Sequence, residues 1–97
     1  MADLARLLEQ VSDRASFFAF VRALIADRAD AAAKEQVEPS NPWGPGANGW
    51  ENDTIEAFLE AALRWAEDTN MGVSQGLADA PTWRAFAVFL YCGKIYE

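Results

Sequence analysis

Apolar residues recur along this chain at helical spacing. Leu4, Leu7, Leu8 and Val11 fall at i, i+3, i+4 and i+7 and share one face. A second stripe follows, made of Phe17, Phe20, Val21 and Leu24 and widened by Phe18 and Ile25. Arg14, Arg22, Asp27, Arg28 and Asp30 fall mostly on its outer side. Ser12 or Asp13 suits an N-cap before that second segment. No Gly or Pro separates the two segments, so one bent helix fits the pattern as well as two.

The pattern breaks at "VEPSNPWGPGANG", where Pro39, Pro42, Pro45, Gly44, Gly46 and Gly49 are incompatible with a helix interior. A loop over 36–49 is long for so short a chain, and such loops are commonly functional or mobile. Trp43 sits in its middle, either packed back on the core or projecting as an anchor.

Periodicity resumes in "GWENDTIEAFLEAALRWAED". Ile55, Phe58, Leu59, Ala62, Leu63 and Ala66 form a continuous apolar face that Trp65 broadens. Asp53 with Glu56 three residues later reads as a capping box, with Thr54 as the alternative cap. Glu60 and Arg64 stand at i, i+4 in the favourable order. These roles account for Asp53, Thr54 and Glu56 but leave Trp50, Glu51 and Asn52 unexplained. A second loop, "TNMGVSQGLADAP", precedes "TWRAFAVFLYCGKIYE". There Thr82 can cap, and Trp83, Phe86, Ala87 and Leu90 share a face. Gly93 is placed to end or kink that helix, letting Ile95 and Tyr96 fold back.

Composition agrees with helices. Nineteen of the 97 residues are Ala, the strongest helix former, and runs of β-branched residues are absent. The expected fold is a single all-α domain over 1–97, with three or four helices and two Gly/Pro-containing loops. An apolar fraction of 52% with six Phe, four Trp and two Tyr supplies a core.

Charge is uneven. Of the formal −7, residues 36–82 alone hold eight acids against one base. Nucleic-acid binding is disfavoured, since neutralising phosphates needs clustered Lys and Arg. A basic protein partner is electrostatically easier; the bland alternative is an acidic surface that only keeps the chain soluble.

No His is present, which removes the usual general base and the Ser-His and Cys-His nucleophile pairs. One Cys cannot supply a thiolate metal site or an internal disulfide. Cys92 reads as a half-buried helix residue, and no His is present to activate it. The absence of a secretory pattern or an apolar run of about 18 residues leads to the expectation of a cytoplasmic chain with no membrane span. Carboxylates remain. Glu51, Asp53, Glu56, Glu60, Glu67 and Asp68 have oxygen-ligand chemistry, but their spacing matches no calcium loop. No metal and no cofactor is expected.

"WENDTIEAFLEAALRWAED" and the terminal "PTWRAFAVFLYCGKIYE" resemble a family of small uncharacterised bacterial proteins. Its signature reads W-E-N-x-T-[IL]-x-x-[FY]-L-E-A, then W and E-D, then P-S-W-x-x-F, closing on K-I-Y-E. Here it falls on Trp50, Glu51, Asn52, Thr54, Ile55, Phe58 and Leu59 through Ala61. It continues at Trp65, Glu67 and Asp68, then at Pro81, Trp83, Phe86 and Lys94 through Glu97. The chain departs from it in a longer first loop and in lacking a Tyr pair near Gly72 and Val73. The family is a domain of unknown function, so the resemblance implies no catalytic or binding residues.

Two readings of "WEN" follow. In the structural one, Trp50 covers the helix start, Asn52 ties the loop backbone and Glu51 pairs with Lys94. In the other, Trp50, Glu51 and Asn52 form a recognition surface. The functional expectation is a small, acidic, non-catalytic protein-binding domain of immunity or adaptor type, docking a basic partner. Its candidate contacts are Trp43, Trp50, Glu51, Asn52, Glu56 and Glu60. The alternatives are a carboxylate-based metal-dependent enzyme or module using Tyr91 or Tyr96, and a self-associating structural protein.

Overall fold

The computed structural model describes residues 3–97, which contain four α-helices and no strand. They are α1 (Leu4–Glu9), α2 (Arg14–Val37), α3 (Ile55–Thr69) and α4 (Trp83–Ile95). Single 3-10 turns cover Ala47–Gly49 and Val73–Gln75. The fold is all-α, as the pattern predicts.

Two helices, not one bent helix, precede the first loop. Asp13 is extended (φ −147°, ψ −179°) and its carboxylate accepts the Ser16 N–H at 2.8 Å. Ser16 Oγ accepts in return from the Asp13 N–H, at 3.1 Å. This reciprocal cap satisfies amide groups that would otherwise continue α1, so the chain breaks without Gly or Pro. Val11, just past the end of α1, is buried.

Thr54 caps α3 by accepting the Ala57 N–H at 3.1 Å. The capping box expected from Asp53 and Glu56 therefore does not form: the helix starts one residue later, and Glu56 stands in its first turn at the wrong offset. Asn70, in the left-handed region at φ 51°, ends α3, and Thr69 relays two bonds there. Its hydroxyl donates to the Trp65 carbonyl at 2.6 Å and accepts the Gly72 N–H at 2.8 Å. Thr82 caps α4 through the Ala85 N–H.

α3 and α4 make the most extensive helix pair. Gly93 lies inside α4 and neither ends nor kinks it: a Cβ there would stand 2.9 Å from the Phe58 ring, so the missing side chain lets the ring approach. Phe20, Leu24 and Ala31 of α2 share the core with Leu4, Val11, Trp50 and Ala87.

The larger departure is which face of α3 is buried. Ala61, Ala62 and Trp65 are inside, whereas Leu59 and Leu63 are exposed and Ile55 is 79% exposed. α4 approaches over the small side chains, and among the described residues none covers the branched aliphatic row. On α2, Phe18 and Ile25 are likewise exposed, and Asp27, expected outside, is only 6% exposed.

Candidate functional site

The burial of Asp27 organises the centre of the molecule. Its Oδ2 accepts from Trp50 Nε1 at 2.9 Å and from Lys94 Nζ at 2.8 Å. Trp50 and Lys94 are only 4% and 7% exposed. A buried carboxylate needs such partners, because an unpaired one would carry the full cost of desolvation. The Trp50 ring lies 6.1 Å from the Phe58 ring, stacked, with the Arg28 guanidinium and the Lys94 ammonium each 5.4 Å from its centroid. Three distant segments, α2, the "WEN" stretch and the end of α4, thus meet on one indole.

The neighbouring residues extend this cluster. The Glu51 N–H donates to the Lys94 carbonyl at 3.0 Å. Asn52 Nδ2 donates to the carbonyls of Gly93 (3.0 Å) and Tyr96 (2.9 Å), which closes the C-terminal turn of α4. The expected Glu51–Lys94 ion pair is replaced by this backbone bond, because Lys94 is already held by Asp27. The exposed Glu51 side chain instead shares a hydrogen bond with Glu97, which with desolvation and the like charge raises its pKa. Tyr96 donates to Asp68 at 2.6 Å, a bond that raises the phenol's pKa. Burial pushes the Cys92 thiol up to about 11.

The first loop is tied back to α2. The Glu35 carboxylate accepts from the Ser40 hydroxyl and from the N–H groups of Ser40 (2.9 Å) and Ala47 (2.7 Å), bonds that in that order lower its pKa. Asn48, at φ 58°, donates to the Asp27 carbonyl at 3.1 Å and accepts from Lys34 at 2.8 Å. Trp43 is not drawn in with the loop. It is 92% exposed, so the projecting alternative holds.

Next to the Trp50 cluster an open groove of about 480 Å³ runs between α2 and α3. Ile25 and Arg28 form one wall, Ile55 and Leu59 the other, and Trp50 and Phe58 lie at its base. Glu56 and Glu60 are exposed on α3 beside that wall. Of the six candidate contacts, Trp50 and Asn52 line the groove but are engaged within the fold. Glu51, Glu56 and Glu60 are exposed, and Trp43 lies apart.

Sequence reasoning missed Asp27 and the aliphatic row. Asp27 did carry a signal: Phe20, Leu24, Asp27 and Ala31 stand at i, i+4, i+7 and i+11, so the acid occupies a core register. A charge in that register calls for a buried partner. Among the described residues no three Cys, Asp or Glu side chains gather closely enough to hold a metal ion, and no helix is long and apolar enough to cross a membrane.

Residues 13–97 match the model of a protein family described as a family of unknown function (DUF7660). No curated protein and no solved structure matches the chain.

Proposed function

We propose, for a chain that belongs to DUF7660, a family of unknown function, that it is a non-catalytic protein-docking domain. Its contact surface is the groove between α2 and α3 with the acidic border on α3. The observation that carries this reading is the row Ile55, Leu59 and Leu63, exposed along one helix face beside Glu56 and Glu60. Large aliphatic side chains left uncovered in a row, rather than scattered singly, mark interaction sites. The complementary surface has apolar side chains to fill the groove and Lys or Arg to meet the acids. An immunity or adaptor role suits such a domain. Trp43, held out on its loop, is a second anchor with the side chain most enriched at binding hot spots.

The test compares three baits in lysate of the source organism: the unaltered chain, Leu59→Asp, and Glu56→Lys with Glu60→Lys. The expected result is a protein retained by the unaltered chain, released by high salt and lost from both variants. Equal retention by all three folded baits would reject the groove as the contact surface.

A further inference from the structure

We propose that the α2–α3 groove is covered by the same groove of a second copy of this chain, an inference that rests on reading the groove as a docking surface. The argument is one of charge. On α2, Arg22, Ile25 and Arg28 stand at i, i+3 and i+6, so the exposed isoleucine lies between two guanidinium groups. On α3, Ile55, Leu59 and Leu63 stand at i, i+4 and i+8, with Glu56 and Glu60 beginning the next row outward, which Arg64 continues. The groove thus has a basic edge on one helix and an acidic edge on the other. The ion pairs among the described residues are Asp30–Lys34 and Asp27–Lys94, so Arg22, Glu56 and Glu60 enter none, while Arg28 lies over the Trp50 ring with Glu35 as a more distant counter-charge.

A two-fold axis running along the groove, in the plane between the two copies, carries α3 of one copy over α2 of the other. The aliphatic row of each α3 then enters the opposite groove against Ile25. Its glutamates meet Arg22 and Arg28 of the facing copy, and the contact is made twice, as a two-fold interface requires. A uniformly basic foreign helix would satisfy the α3 edge but set like charge against the two arginines. A second copy satisfies both edges. The chain's charge of −7 opposes self-association at long range. At about 0.15 M salt that repulsion is screened beyond about 8 Å, while contacting pairs are screened much less.

The experiment is light scattering on the eluting peak, with sedimentation across a concentration series, using the whole chain. The unaltered protein should show twice the 10.7 kDa chain mass. Leu59→Asp places a charge in the groove at an exposed position, and should weaken self-association by about tenfold or more while its melting curve stays cooperative. Two charge variants fix the register. Arg22→Glu with Arg28→Glu makes both edges acidic, and Glu56→Lys with Glu60→Lys makes both basic. Each alone should be monomeric, and the two mixed should pair one to one. A monomeric unaltered chain at every concentration would overturn the proposal, and so would a dimer that survives Leu59→Asp. A failure of the two folded charge variants to pair would overturn it as well. A monomeric chain whose captured protein is still lost from Leu59→Asp would separate the two readings: the second copy fails and the docking surface stands.

Discussion

The Trp50 cluster and the α2–α3 groove lie side by side and share residues, yet they solve opposite problems. In the cluster every polar group has a partner: the indole N–H and the Lys94 ammonium both reach one Asp27 oxygen, and Asn52 satisfies two carbonyls at the end of α4. In the groove, apolar side chains face outward with charges of both signs beside them. A buried polar cluster holds distant segments in one arrangement, and its loss is paid in stability. An uncovered aliphatic row contributes little to the fold and is available to a partner. Substitutions in the two regions should therefore separate cleanly.

The largest effect is expected at Trp50. Trp50→Ala removes a buried ring stacked on Phe58 and leaves Asp27 with one partner fewer. Denaturation by urea should show a loss of about 3–5 kcal/mol. A loss below about 1 kcal/mol would mean that the ring does not join the three segments. Next comes Lys94→Met, which strands the Asp27 carboxylate in the interior. Breaking a buried pair from one side costs about 3 kcal/mol or more. Adding Asp27→Asn removes the stranded charge and keeps an acceptor for the indole, so the double variant should recover over half of that loss. Additive losses would show that the two side chains are not coupled.

Asn52→Ala is the third, with an expected cost of about 1–2 kcal/mol for two carbonyls left without their donor. The shift should appear as a lower melting temperature with the unfolding still a single transition. An unchanged melting temperature would leave the C-terminal turn of α4 held by something other than Asn52.

These residues show what was legible beforehand. The helices could be read from apolar spacing and capping chemistry, because both are local. "WEN" was visibly unexplained by capping, and the structural alternative had Trp50 and Asn52 in supporting roles. Their partners could not be read. Trp50 bonds to a residue 23 positions away and Lys94 to one 67 away, and local periodicity contains no such information. For α3 the spacing reported a face but not its neighbour. The continuous apolar face read from spacing joins Ile55, Leu59 and Leu63 to Phe58, Ala62 and Ala66, and the branched row is the part left outside. The small side chains face inward, because Ala61, Ala62 and Gly93 let α3 and α4 pack closely beside Trp65 and Phe58.

Glu51 offers a smaller effect, read by pH. Its hydrogen bond to Glu97 holds the folded-state pKa above the ordinary glutamate value of 4.5. The folded state therefore binds that proton more tightly than the unfolded chain. This contribution is fully present below the ordinary value and is lost as pH rises through the raised one. Glu51→Gln removes the titration, so the fall in stability across that window should flatten in the variant. An identical pH profile would show that the Glu51–Glu97 contact does not persist in solution.

The smallest effects are expected in the groove. Ile55→Ser and Leu59→Ser alter side chains that are already mostly in water, so little apolar surface is returned to solvent on unfolding. In dilute solution, where no second copy is bound, each should change stability by no more than about 0.5 kcal/mol. The comparison with Trp50→Ala is then close to tenfold in free energy for residues lining one groove. A loss above about 2 kcal/mol at either position would mean that the face is covered within a single chain. The aliphatic row would then belong to the core that its spacing first suggested, and no surface would be left there for a partner. A loss that appears only in concentrated solution would instead locate the cover on another molecule, because binding to the folded state adds stability that dilution removes.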